Sequence, residues 1–471
     1  MPLANVFAQS NTEKDSMLVV HRIKKNETLS SIALKYSCSI RQLSKWNNLK
    51  NEDWIKEGDI LKIWVKKSST PIYQKPLPSA DTMLKRVIPK KTTPRIIVNR
   101  YSDTPRVVKP KIEDDNLAFE GTRVAVPESL FDTNGRVKIS GYITAYYARY
   151  SDSFGPGEYQ KFPTSSPLNN SFSVNMIYWG AKYISNRYRG NLSLHWGDIP
   201  ASAWSSTYNF IQEANAGFRI TKGLWFEAGY FRTHIGLESI QPRENITTSI
   251  AVTTFYEPYF LSGAKLTYYL GDKLAFQGSV FNGFNSFVEN NKSKAYGLSM
   301  VYNPNDRLSL TLNTLGCDES PDFQKRKQRR LYNDFYLSYK SPKLDFGCEF
   351  NYGVQENTKL SDTLKPATVI SALIVGRYHF SKHFSGYLRG DYFDDRNQIL
   401  TGVVLNHDNE QVGIHALGAT AGMEIEPIPN SYFRIEYRQV QMLEKNQTLF
   451  YSNNTYSKIR HEIISAVGLW F

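Results

Sequence analysis

The 471-residue sequence lacks any run near the 18 or so apolar residues that a membrane-crossing helix needs. Hydrophobic residues make up only 41 %, and mean hydropathy is −0.44. These values exclude a helical membrane protein but not a β-barrel, whose strands carry a much weaker hydropathy signal. Cysteine is nearly absent. Cys38, Cys317 and Cys348 lie far apart and match no metal spacing, so no disulfide framework is expected. There is no G-x-S-x-G, no H-E-x-x-H and no Cys/His grouping. His195 and His379 stand among unrelated neighbours. No catalytic residue, metal or cofactor is therefore expected, and the chain does not read as an enzyme.

Aromatics are abundant at 14 %, with 30 Tyr and 26 Phe. The length calls for at least two units. The net charge of +13 is localised: between Lys66 and Lys111, 12 Lys or Arg stand against 2 Asp. That segment also holds seven Pro and no lasting apolar period. Residues 66–135 therefore read as a basic, Pro-rich linker, with an r.m.s. span of about 45 Å if flexible. Its charge either draws anionic partners such as wall peptides and lipid headgroups, or keeps a spacer soluble. Residues 1–17 read as an N-terminal tail. Val6-Phe7-Ala8 has a signal-peptidase pattern, which suggests a truncated signal peptide or a misplaced start.

Residues 18–65 form a βααβ pattern. Leu18 to Ile23 is a strand, Thr28 caps a helix, Ile40 to Trp46 is a second helix, and Gly58-Asp59 turns into a closing strand at Ile60 to Trp64. Leu29, Leu43 and Trp46 face inward. The pattern His21-Arg22-Ile23, Thr28-Leu29, Ile32-Ala33, Tyr36, Leu43, Asn47, Leu49, Ile55, Gly58-Asp59 and Leu61-Lys62-Ile63 resembles a LysM domain. Asn26 departs from the family's usual Gly. The resemblance implies peptidoglycan as partner, bound through N-acetylglucosamine between two loops. The implied glycan-binding residues are Asn26, Glu27, Thr28, Leu29, Asn47, Leu49 and Ile55.

From Arg136 to Phe471, sixteen runs of alternating polarity recur. They are joined alternately by long loops and by turns of a few residues. A barrel with short turns at one end and long loops at the other requires this parity. The expected fold is mainly β: a 16-stranded antiparallel transmembrane barrel behind the small βααβ domain. Alternation puts Phe346, Cys348 and Phe350 on lipid, and Asp345, Gly347 and Glu349 in the lumen. Parity also puts both barrel ends in the periplasm, with the linker and the N-terminal domain. No nucleic-acid partner is expected, since such a barrel lies outside the cytoplasm.

The motifs Ile139-Ser140-Gly141-Tyr142, Arg189-Gly190-Asn191-Leu192, Trp225-Phe226-Glu227-Ala228-Gly229 and Phe281-Asn282-Gly283-Phe284 resemble the OmpL-like β-barrel porins common in Bacteroidota. The last strand, ending at Phe471, resembles the signal read by the outer-membrane insertion machinery. The resemblance implies a cell outer-membrane location and a pore-like architecture. The longest outer loop, 234–258, is expected to fold inward and narrow the lumen. Glu238, Arg243 and Glu244 would face Arg189, Glu213, Glu227, Lys265, Arg389, Arg434, Glu436 and Arg438 across the pore. Two functions follow as expectations. One is a porin-like channel, tethered to peptidoglycan and passing small hydrophilic solutes. The alternative is a non-conducting anchor, or an accessory subunit of a larger outer-membrane complex.

Overall fold

The computed structural model describes residues 16–23, 32, 36, 40–47, 49, 58–66, 135–152, 159–160, 162–205, 208–289, 291–452 and 455–471. Residues 1–15 of the tail and 67–134 of the linker lie outside the described residues. The chain divides into two compact units, each taken by itself.

In the first unit, strand β1 (Ser16–Arg22) pairs antiparallel with β2 (Ile60–Lys66), from Ser16↔Lys66 to Arg22↔Ile60. Helix α1 (Ile40–Trp46) packs on the pair. Ile23, Ile32, Leu43, Leu61 and Ile63 form the core, with Tyr36, Trp46 and Leu49 at its edge. Leu61 and Ile63 point inward while Lys62 points out, the period-two alternation of a half-buried strand.

The second unit is a closed antiparallel barrel. Its first eight strands are β3 (Arg136–Tyr150), β4 (Ser171–Ile184), β5 (Tyr188–Trp196), β6 (Ile211–Thr221), β7 (Leu224–Arg232), β8 (Phe260–Leu270), β9 (Leu274–Phe281) and β10 (Ala295–Asn305). There follow β11 (Leu308–Asp318), β12 (Arg329–Lys340), β13 (Leu344–Gln355), β14 (Ala367–His379), β15 (Phe384–Asp395), β16 (Ile414–Ile425) and β17 (Ser431–Met442). A small outer hairpin, β18 (Phe450–Ser452) and β19 (Thr455–Ser457), precedes β20 (Ile459–Trp470). β20 pairs with β3 and closes the wall. The sixteen-stranded expectation holds, and so does the alternation of long loops and short turns. Every strand of the wall pairs with a neighbour on both sides, which is what lets strands cross lipid.

The faces follow the pleat. On β13, Asp345, Gly347, Glu349 and Asn351 are buried inward, while Phe350 and Tyr352 are exposed. Leu298, Leu388 and Ile374 stand more than half exposed on the outside. Such a continuous apolar exterior suits lipid and would not be stable in water. Tyr183, Tyr268, Tyr302, Tyr378 and Phe384, all near short turns, form an exposed aromatic belt at that end.

Candidate functional site

The loop between β7 and β8, residues 233–259, lies inside the barrel. It carries a 3-10 turn (Pro242–Glu244) and a short helix, α2 (Val252–Tyr256). Nearly every residue from 245 to 254 is buried. A loop has few internal hydrogen bonds, so burying it requires partners for its backbone groups. The wall supplies them. Glu436 accepts from the Thr248 and Ser249 amides, both at 2.8 Å. Arg434 donates to the carbonyls of Pro242 (2.9 Å), Asn245 (3.0 Å) and Thr247 (3.1 Å). Asp334 and Glu349 accept from Gly236 (3.0 Å) and Leu237 (2.9 Å).

Glu238 organises the loop from within. It accepts from the Ala251 amide at 2.6 Å and pairs with Arg389 at 3.0 Å. Arg389 also donates to Thr247 (2.8 Å) and to the Ser249 carbonyl (2.6 Å). Glu244 is held by Arg232 through two contacts, one of them 2.8 Å. Arg243 lies over the Tyr142 and Tyr178 rings, at 5.1 and 5.2 Å. Glu257 accepts from Tyr332 (2.7 Å) and Asn351 (2.9 Å) beside Glu349 and Asp334. Burial first, then those two carboxyls, raise the Glu257 carboxyl well above the ordinary carboxylate range. This residue belongs to the loop and not to a strand.

The pore residues anticipated from sequence fall into two groups. Glu238, Arg243, Glu244, Arg389, Arg434 and Glu436 sit in the loop–wall contact, and Arg438 lies on the wall 4.0 Å from Asp391, each 1–8 % exposed. Arg438 continues a buried row of alternating charge: it lies 3.6 Å from Glu462, which lies 3.3 Å from Arg460, which lies 3.6 Å from Asp152. Arg189, Glu213, Glu227 and Lys265 instead line a lumen cavity of about 890 Å³. That cavity runs from the short turns at Lys222-Gly223 and Gly271-Asp272 up to Phe231, His234 and Phe281.

Above the cavity, towards the long-loop end, an apolar cluster fills part of the interior. Phe231, Leu261, Phe281, Leu315, Val369, Phe393, Val440 and Met442 join Ile399, Phe162 and Phe450 from the outer loops in one buried cluster. A second cluster gathers Tyr142, Tyr146, Met176 and Ile464 with Trp204, Ile240 and Phe287.

Sequence reasoning missed several members of the site. Arg232 holds Glu244. Gln212 links His195 (3.2 Å) to Gln241 of the loop (2.6 Å). Asp334, Arg460 and Glu462 occupy inward positions that the same parity rule would have picked out. In the first unit, Asn47 donates to the carbonyls of Leu43 (2.9 Å) and Lys62 (2.8 Å) and accepts from the Lys62 amide (2.7 Å), tying α1 to β2. Leu49 packs against the core. Asn26, Glu27, Thr28, Leu29 and Ile55 lie outside the described residues.

Residues 21–64 match the LysM domain family, and residues 136–469 match the family described as beta-barrel porin-2, OmpL-like. No curated protein matches the chain. Among solved structures, the outer-membrane channel DcaP of Acinetobacter baumannii is 10 % identical, covering 72 % of this chain and 97 % of its own, with a TM-score of 0.48. OmpF of Salmonella typhi, solved with daunomycin, is 14 % identical over 73 % of this chain and 99 % of its own, with a TM-score of 0.46. OprB of Pseudomonas putida is 8 % identical over 71 % and 94 %, with a TM-score of 0.45. At such scores these likenesses add nothing to the family assignment. The match over 136–469 spans most of the chain, so the protein belongs to the OmpL-like beta-barrel porin-2 family and bears a LysM domain ahead of its outer-membrane barrel.

Proposed function

We propose that the protein is a porin-like channel of the outer membrane, passing small hydrophilic solutes and held to peptidoglycan by its LysM domain. The observation that carries the channel reading is the charged cavity of about 890 Å³ open along the lumen wall. The inward-folded loop would act as its constriction. Short turns at one end and long loops at the other favour a periplasmic position for both barrel ends, and hence for the linker and LysM domain. Glycan contacts are assigned to Asn26, Glu27, Thr28, Leu29, Asn47, Leu49 and Ile55; the hydrogen bonds of Asn47 make it the framework of that site rather than a free donor.

One observation favours a second reading, a non-conducting anchor or an accessory subunit of a larger assembly. An apolar cluster lies across the long-loop end of the barrel, where a permanently open pore would be lined by polar groups. Planar-bilayer recording separates the two readings. Stepwise current through folded barrel supports the channel, and silence from well-folded protein across voltage and pH sinks it. Recovery on isolated sacculi, with and without residues 1–65, tests the tether. Equal recovery of both forms would remove it.

A further inference from the structure

The channel reading leaves the chemistry of the cavity unassigned, and its wall is built in an unusual way. Arg189, Gly217, Glu227 and Lys265 stand at one level on β5, β6, β7 and β8, each directly opposite the next. A Cβ on Gly217 would lie 2.3 Å from the Phe226 carbonyl oxygen and 2.4 Å from Glu227 Cγ. The missing side chain leaves a gap, and Arg189 reaches across it to pair with Glu227. Lys265 Nζ approaches the same carboxylate at 3.6 Å. Two cations thus share one anion. Around the cavity as a whole, five Lys or Arg face three Asp or Glu. Arg189 Nε has no hydrogen-bond partner.

Aromatic rings flank both cations. The Arg189 guanidinium lies 4.5 Å over Trp225 and donates to the Tyr269 hydroxyl at 3.0 Å. Lys265 Nζ lies 4.4 Å over Phe231. A simple anion has no use for such rings, and a neutral sugar has no use for the excess cations. A sugar acid uses both: its carboxylate bonds to Arg189 and Lys265, and its C–H face lies against the half-buried Tyr269 ring, while Trp225 backs the Arg189 guanidinium from behind. The volume is that of an oligosaccharide-sized site.

We infer that this cavity is a binding site for acidic oligosaccharides. The inference rests on the channel reading only for the solute's passage onward; binding itself needs no conduction. Two sources share the chemistry, fragments of the wall and acidic polysaccharides from outside the cell.

The test is calorimetric titration of the purified full-length protein in detergent. The probes are trigalacturonate, a disaccharide muropeptide, maltotriose and citrate. The signal of interest is the binding lost in Lys265→Gln, so heat that persists in that variant is assigned to the LysM domain. At least one acidic sugar should bind in wild type, weaken tenfold or more in Lys265→Gln, and recover in Lys265→Arg. Maltotriose and citrate should bind at least tenfold more weakly. Trigalacturonate alone would identify an outside source, and muropeptide alone the wall. Arg189→Gln replaces Lys265→Gln if the latter does not give a heat-resistant barrel. The inference is overturned if neither acidic sugar shows binding that depends on the cation, or if citrate binds as well as they do. Current without acidic-sugar binding sinks this inference alone, and binding without current sinks the channel alone.

Discussion

Replacing Glu436 by Gln isolates one anchor of the inward loop. Its two carboxylate oxygens each take a loop amide, Thr248 and Ser249, at 2.8 Å, and Tyr387 adds a third bond at 3.2 Å. Glu436 is 1 % exposed, so water cannot substitute. The amide has nearly the same shape but only one acceptor. Its NH2 group must face one of the loop N–H donors, which then loses its partner. An unsatisfied buried donor, with the loss of charge assistance, costs about 2–3 kcal/mol. Every 1.4 kcal/mol is tenfold, so the undocked fraction of the loop should rise about 30- to 140-fold. Amide hydrogen exchange followed by mass spectrometry reads that fraction directly at Thr248 and Ser249. The loop peptide should exchange faster by that factor while peptides from β13 are unchanged. Rates within threefold of wild type, in a barrel that keeps its heat-resistant mobility, would refute the claim that this carboxylate pins the loop.

Arg434→Lys should have a similar effect by a different route. A single ammonium cannot serve three carbonyls and Glu424 together, so exchange across residues 242–249 should rise about a hundredfold, for about 3 kcal/mol lost; an unchanged loop would contradict the contacts. Glu257 predicts a pH effect. Its folded value lies above the unfolded value of about 4.3, so its contribution to docking is complete below the unfolded value and is lost as pH rises through the folded one. Current should therefore increase on the alkaline side in wild type and stay flat in Glu257→Gln; identical pH profiles would rule this out. Gly217→Ala should lower the temperature at which the barrel loses its compact electrophoretic form, by an amount equal to about 1–3 kcal/mol of overpacking. An unaltered midpoint would show that the strands give way freely there.

The barrel was legible because its two governing signals are local. Period-two alternation fixed the strands to within a few residues, and loop-length parity fixed their number. What escaped depends on distance in sequence. At the outer end of β17 the pattern inverts: Gln441 is exposed while Val440 and Met442 are wholly buried. Polarity alone reads this as a change of face, and only the outer loops folding over the end explain it. The bulge on β4 also escaped. One extra residue between Met176 and Val174 turns Asn175 inward, where it donates to Ser165 (2.6 Å) and Ser166 (3.0 Å). Nothing in the local sequence marks it. The loop was expected inside from its length, but which wall groups grip it depends on tertiary pairing: Arg434 and Arg389, taken as facing water, spend their donors on loop oxygens. In the first unit Asn47 reads as a ligand-facing polar residue, and its role as a tie between α1 and β2 depends on a carbonyl fifteen residues away.

The inward loop also changes what sort of object the barrel is mechanically. It springs from β7 and β8, is fastened to β6 through Gln241, and then crosses to β12, β13, β14, β15 and β17 through Gly236, Leu237, Thr253, Val252 and Thr248. A hoop of strands alone resists stretching along its hydrogen bonds but flattens easily into an oval. A strut bonded to both sides resists that flattening. The cross-section is therefore held by its diameter as well as its rim. Any solute or voltage that frees the loop would soften the whole cylinder, and sideways pressure from a crowded membrane would be felt first at the bonds of Glu436 and Arg434.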